Sequence, residues 1–499
     1  MSDIENTTPL QFDNTKEKVL QELDDAKFNW VTAKTIAVAG LGSCLTSTIC
    51  TSFIILFSSI VKPILTTLYP YGNTSQAVAL MGAAATAGSV VGQLMFGFLG
   101  DKLGRKSMYA TTMMIIIVAN IGLAFSSQLV SGLSMYAAFG IWQLFIGVGI
   151  GGDYPMAATI SGEFASTRNR GMIMSLVFSN QGLGRMFCAI VALVLLVLFK
   201  APIAQDVGQL DAVWRILVVI GLVPSFLAIY SRFVMPESPR YTAEVHGDYD
   251  AALKDTQNYL IEHKNEYDHV MVTKKATPWK EFKIYFSKWQ NMKKLIGTAG
   301  TWFITDIAVY GLGVNQAQLL ASIGISTSSK APYDKIFTAT YGNLIVLFFG
   351  FLPGCYAAAL VIDRMGRRNL QMLGFIGMGI TYVVIAAAYD QILSSSSIGL
   401  VILYIIGQFF QNFGSNTTTF IISAELYPTK IRSTAHGLSA ACGKCGAVIA
   451  TYGVSLLVAP DSIGVPATLG ILGGLMLLGA VVTYFFVPET KGIRLEDVA

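Results

Sequence analysis

Gly100-Asp101-Lys102-Leu103-Gly104-Arg105-Lys106 follows one apolar stretch, and Ile362-Asp363-Arg364-Met365-Gly366-Arg367-Arg368 follows another. The acid, the second glycine and the paired cations recur in register, 262 positions apart (363 − 101). Glu163 and Arg170 recur as Glu425 and Arg432 at that same offset of 262, and Pro236-Glu237-Ser238 recurs as Pro488-Glu489-Thr490. The chain therefore reads as a parallel duplication. Working outward from the two loops, apolar stretches long enough to span a bilayer lie near 33–60, 77–99, 108–126, 134–160, 172–199 and 213–235. A second six lie near 293–321, 338–362, 370–390, 398–424, 434–458 and 465–487.

Composition agrees. The chain has 499 residues, 53% hydrophobic and 13% charged, where soluble domains carry about 25% charged residues. Its 48 glycines suit closely packed membrane helices. A net charge of +4 offers no basic field for nucleic acid. Six cysteines are scattered, most of them in apolar stretches such as Cys44, Cys50 and Cys188, so neither a metal centre nor a disulfide framework is expected. The acidic start of the chain (Asp3, Glu5, Glu17) is not that of a cleaved signal peptide. The expected fold is an all-α membrane protein, twelve transmembrane helices in two pseudo-symmetric six-helix halves. Its divisions are a tail at 1–32, halves at 33–235 and 293–487, a polar linker at 236–292 with a helical look around Asp248–His269, and a tail at 488–499. Lys and Arg gather in the loops on one side (Lys102, Arg105, Arg168, Arg364, Arg367, Lys430, Arg432), which predicts that this side, the linker and both termini are cytosolic. Asn73-Thr74-Ser75 is then an outer-loop sequon, and whether it is glycosylated is left open.

The repeated loops and Pro236-Glu237-Ser238-Pro239-Arg240 resemble the major facilitator superfamily. In such a fold Asp101, Arg105, Glu163, Arg170, Asp363, Arg367, Glu425 and Arg432 are gating candidates, ion pairs at the helix ends that hold in one state and part in another. A narrower resemblance runs through nearly the whole chain, to eukaryotic inorganic phosphate:proton symporters. It is carried by Gly151-Gly152-Asp153-Tyr154-Pro155, Asn180-Gln181-Gly182 and Gly297-Thr298-Ala299-Gly300-Thr301-Trp302-Phe303 with Asp306 and Tyr310. Asn412-Phe413-Gly414-Ser415-Asn416-Thr417-Thr418-Thr419-Phe420 and Gly443-Lys444 complete it. The resemblance implies inorganic phosphate as substrate, a co-transported H⁺ and a plasma-membrane setting.

The residues support that implication independently. Trp302, Asp306 and Tyr310 stand at i, i+4 and i+8 and form one helical stripe. A carboxylate at bilayer depth is costly and should face a partner or a wet cavity. Ionised Asp accepts the P–OH that phosphate keeps near neutral pH, and it repels an anion such as sulfate that has no proton to offer. The substrate-binding candidates are thus Asp153, Tyr154, Gln181, Arg185, Trp302, Asp306, Tyr310, Asn416 and Lys444. For Asp153 a buried bond to Lys444 or Arg185 is an alternative. For Asn412 helix-to-helix bonding is equally open.

The sequence also departs from the family. The first span carries Thr46, Ser47 and Thr48 where the family has carboxylates, and Gln143 stands where the family has Arg. Arg185 is new, one turn beyond Gln181. Ser415 and Ser423-Ala424 replace Pro and Pro-Gly. These departures predict altered coupling: facilitated diffusion or exchange of phosphate or an organic phosphate, with Na⁺ as another coupling ion. The competing readings are a carrier of a glycerophosphodiester or dicarboxylate and a non-transporting phosphate receptor of the same fold. No Walker sequence, His cluster or nucleophile elbow stands in the chain, so an enzyme is not expected, and no cofactor is called for.

Overall fold

The computed structural model describes residues 61–69, 75–127, 134–235, 237–246, 278–314, 316, 320, 331–458, 462–495 and 497–498. The first span at 33–60, the Asn73 sequon and the helix expected at Asp248–His269 lie outside the described residues. The first half holds α1 (Lys62–Leu68), α2 (Ser75–Leu103), α3 (Arg105–Ala124), α4 (Met135–Phe164), α5 (Arg170–Leu198) and α6 (Leu210–Val234). The second holds α7 (Trp289–Val314), α8 (Pro332–Met365), α9 (Arg367–Ser395), α10 (Ser397–Glu425), α11 (Arg432–Leu457) and α12 (Gly464–Phe486). Among the described residues ten helices are long and apolar enough to cross a membrane. Their outer faces carry Val118, Leu198, Val234, Leu360 and Ile398, all exposed, as lipid contact requires. Helix α11 is as long but mixes Arg432, His436 and Lys444 into its sequence. All three are buried, while Ile449, Tyr452 and Leu456 take its outer face. Its polar stripe is thus turned into the protein, where partners replace water.

Within the first half α2 packs along α4, and within the second α7 packs along α11 and α9 along α12. The halves meet where α2 lies against α11 and α5 against α8. Gly97 and Gly437 make the first contact possible: a Cβ on Gly97 would stand 2.8 Å from the Ser433 carbonyl oxygen. Small residues let two backbones approach this closely.

Each repeated loop turns on its second glycine. Gly104 has φ 101° and Gly366 φ 89°, values that L side chains rarely adopt. The turn ends α2 and starts α3 at once, and in the second half ends α8 and starts α9. The motif glutamates cap the new helices. Glu237 Oε1 accepts from the Arg105 backbone N–H at 3.1 Å, and Glu489 Oε1 accepts from that of Arg367 at 2.8 Å. A carboxylate at a helix N-terminus satisfies orphan N–H groups and meets the positive end of the dipole.

Two π-helical turns interrupt the second half, Leu347–Phe351 in α8 and Gln411–Ser415 in α10. The first precedes Pro353, which has no N–H to offer the α-helical ladder. Such turns add a residue and rotate the side chains beyond them. They position Phe351 and Asn416.

Candidate functional site

At the centre of the bundle Lys444 Nζ of α11 stands 2.6 Å from Asp306 Oδ2 of α7, both buried. The ammonium also lies over the Tyr310 ring, 4.4 Å from its centroid, and 5.4 Å from that of Tyr154 on α4. Gln181 Nε2 of α5 donates to the Tyr154 hydroxyl at 2.6 Å. Residues from both halves therefore close on one point. The Arg185 guanidinium, one helical turn from Gln181, lies 4.8 Å from the Phe351 ring centroid. It interacts electrostatically with Tyr310, Tyr154 and Asp306, and among the described residues its Nε has no hydrogen-bond partner. Asn416 Nδ2 donates to Asn412 Oδ1 at 2.9 Å, and Asn412 Nδ2 to the Gln408 carbonyl at 2.8 Å. Asn412 thus bonds within its own helix and orients Asn416.

Two cations, Arg185 and Lys444, and one anion, Asp306, leave a net positive charge in this buried cluster. An uncompensated buried charge costs several kcal/mol. A cation over an aromatic face recovers about 2 kcal/mol of that when desolvated. The arrangement suits a monoanion: it would neutralise the cluster, draw Lys444 from Asp306 and present a P–OH to the freed carboxylate.

The Asp153 carboxylate is engaged on another side: Oδ1 stands 2.5 Å from Arg232 Nη1 of α6. Arg232 also donates to the Tyr109 carbonyl at 2.8 Å and lies 3.6 Å from the Tyr109 ring centroid. Consecutive helical residues point about 100° apart, so Tyr154 faces the centre while Asp153 faces α3 and α6. Arg232 escaped the sequence reading because a lone cation near a span end looks like an interfacial anchor. Trp302 turns its ring edge-on to His436, centroids 5.2 Å apart, with Gly443 against its face. Gln143 is buried, and among the described residues its Nε2 has no partner. The hydroxyl-rich first span, Thr46 included, lies outside the described residues. Cys442 and Cys445 flank Gly443-Lys444 at a Cys-x-x-Cys spacing that the reading of scattered cysteines passed over, and both are free thiols.

At the end of the bundle that carries the repeated loops, the halves are joined reciprocally. Asp101 of α2 accepts from the backbone N–H groups of Ser433 (3.2 Å) and Thr434 (2.7 Å), at the start of α11. Asp363 of α8 accepts from those of Gly171 (3.2 Å) and Met172 (2.8 Å), at the start of α5. Each loop aspartate thus caps a helix of the opposite half. Arg105 meets Glu163 at 3.3 Å and Asp101 at 3.2 Å, and Arg432 crosses the interface to Glu163 at 2.9 Å. In the second half Arg367 meets Asp363 at 2.8 Å and Glu425 at 2.9 Å. Arg170 donates to the Ile493 carbonyl at 3.0 Å and to Thr167 Oγ1 at 2.9 Å. All eight gating candidates stand at this closed end. Between it and the centre, Phe420 of α10 lies 6.3 Å from Tyr154 and 5.6 Å from Phe178, centroid to centroid, an aromatic plug across the two halves.

Residues 33–499 match the profile of the family described as sugar (and other) transporter. Curated relatives include the inorganic phosphate transporter PHO84 of Saccharomyces cerevisiae, 35% identical over 96% of this chain and 86% of the relative. The repressible high-affinity phosphate permease of Neurospora crassa is 36% identical over 96% of this chain and 88% of its own. The probable inorganic phosphate transporter 1-8 of Oryza sativa subsp. japonica is 36% identical over 97% and 94%. Among solved structures, the proton:xylose symporter XylE bound to 6-bromo-6-deoxy-D-glucose superposes with a TM-score of 0.73 at 18% identity, covering 94% of this chain and 98% of that one. That likeness shows the shared fold.

Proposed function

From the premise that this chain belongs to the sugar (and other) transporter family, we propose that it carries inorganic phosphate across a membrane by alternating access. The observation that supports this most is the buried Lys444–Asp306 pair with Arg185 beside it, a cluster whose net charge and donors match dihydrogen phosphate. Its relatives of similar length are named for phosphate, two of them for inorganic phosphate. The loop end is cytosolic in this reading, and the plasma membrane is the compartment.

Phosphate enters from the opposite end and displaces Lys444 from Asp306. The two halves then rock about the central site, the loop-end ion pairs part, and Phe420 withdraws from Tyr154 and Phe178. Asp153, Tyr154, Gln181, Trp302, Tyr310 and Asn416 divide the remaining work. Tyr154, Gln181, Trp302, Tyr310 and Asn416 surround the anion, and Asp153 steadies α4 against α6 through Arg232.

Arg185 supplies the fixed charge that a proton supplies in a symporter, so coupling to H⁺ is weakened and exchange is permitted. Labelled-phosphate uptake into proteoliposomes under imposed H⁺ or Na⁺ gradients tests this. Uptake that sulfate and malate do not inhibit, with weak proton dependence that steepens in Arg185→Ala, is the expected result. Steep proton dependence that survives Arg185→Ala removes the altered coupling. Glycerophosphate or malate outcompeting phosphate replaces the substrate.

A further inference from the structure

His436 stands on α11 eight residues from Lys444 and four from Arg432, fully buried between the central site and the closed loop end. At 1.5 Å per residue it lies about 12 Å from Lys444 along the helix, on the exit side. Its Nδ1 is 2.9 Å from Ser423 Oγ. The Ser423 hydroxyl has one hydrogen, and the Thr419 carbonyl at 2.7 Å and the Phe420 carbonyl at 3.2 Å both stand ready to accept it. In the tautomer where Nδ1 donates to Ser423 Oγ, Nε2 is a bare lone pair; in the other tautomer Nε2 carries the ring hydrogen. That Nε2 has no hydrogen-bond partner. The ring is walled by aromatic edges, Trp302 at 5.2 Å and Phe420 at 5.8 Å between centroids. A buried acceptor left unsatisfied costs about 1–3 kcal/mol, so a donor passing this point gains what the resting protein forgoes.

The charged groups on the packed elements are already engaged. On α7 Asp306 is held by Lys444; on α10 Glu425 is held by Arg367; on α4 Glu163 is held by Arg105 and Arg432; on α2 Asp101 is held by Arg105 and the start of α11. Among the described residues the ring is met by Ser423, Trp302 and Phe420. Trp302 is shared: it belongs to the Asp306 stripe and touches His436, so it joins the central site to this one.

We propose that His436 Nε2 is a way station for phosphate leaving the central site, accepting the P–OH that Asp306 releases. This rests on phosphate being the substrate. If the proton crosses, dihydrogen phosphate becomes hydrogen phosphate and the neutral ring becomes imidazolium. The net charge of the two together is unchanged, the O–H bond breaks and the N–H bond forms. The imidazolium then holds the anion by a charge-assisted bond until water enters from the opened loop end. Ser423, by accepting from Nδ1, permits the tautomer that makes this possible. It stands where the sequence departs from its family.

His436→Asn tests the proposal, since an amide NH₂ can keep the donor to Ser423 while the basic nitrogen is lost. Purified full-length protein in proteoliposomes is assayed for net uptake and for phosphate:phosphate exchange between about pH 5.5 and 7.5. The expected result is net turnover about tenfold slower, with KM within about twofold of wild type and the pH dependence of turnover flattened. Ser423→Ala, which keeps Nε2 but removes the partner of Nδ1, should slow turnover less than His436→Asn does. Wild-type turnover and an unaltered pH profile in His436→Asn overturn the proposal. So does a tenfold rise in KM at constant turnover, which would make His436 part of the resting site. A wild type that moves no labelled phosphate in any gradient takes down the phosphate reading itself, and this inference with it.

Discussion

Asp306 and Lys444 are each other's counterions, and the chemistry of the site follows from that dependence. Removing one member leaves the other buried and bare, a loss of roughly 3–5 kcal/mol, whereas removing both is often near neutral. Asp306→Asn should therefore lower the Tm in detergent and cut phosphate uptake at least ~100-fold, because the P–OH loses its acceptor. Combined with Lys444→Gln, it should regain most of the Tm without regaining transport. A double variant that transports would sever the pair from substrate. Arg185 stands differently, over Phe351 with Nε unpartnered among the described residues. Arg185→Gln should fold as well as wild type yet raise KM for phosphate about 10–100-fold, the worth of a hydrogen bond to a charged group. A phosphate titration of initial uptake rates reads this directly.

At the scale of elements, the loop aspartates do two tasks with one carboxylate. Asp101 pairs with Arg105 inside its own half and caps α11 of the other; Asp363 pairs with Arg367 and caps α5. A cap is worth about 0.5–2 kcal/mol, so losing one should loosen the loop end without unfolding the half. Asp101→Asn should speed thiol labelling of a cysteine placed at Thr159, behind the gate, by roughly fivefold in a cysteine-free background. Unchanged labelling would mean that the cap does not hold the closed state. The repeated sequence pointed to these residues as charges alone. Why the aspartates must lie beside backbone N–H groups appeared only when α11 and α5 were seen to start there. The role of Glu237 and Glu489 as caps was equally invisible, because their targets lie 132 and 122 positions away in the chain.

Across the whole molecule the halves are held by narrow seams at α2–α11 and α5–α8, and motion must preserve them while opening the loop end. Gly97 and Gly437 set the spacing of the first seam. Gly437→Leu should hold α2 and α11 apart, keep the loop end labelled by aqueous thiol reagents and lower net uptake about tenfold, with the Tm reduced by several degrees. Glu163 ties Arg105 to Arg432 across the halves. Its exchange for Gln would leave two buried cations facing one another across the seam. That variant should favour the open loop end, seen as slower net uptake with exchange preserved.

The spans among the described residues, the duplication and the shared end of the charged loops were legible in the sequence because each depends on local composition: apolar length for a bilayer, motif spacing for a repeat. Trp302, Asp306 and Tyr310 were legible too, since one helical stripe is a property of one segment. Partners were not. Asp153 meets Arg232, and His436 sits beside Ser423, because helix rotation and the π turn of α10 fix which faces meet. Spacing along a chain specifies what a helix can present, and only the packing of helices decides what it is presented to.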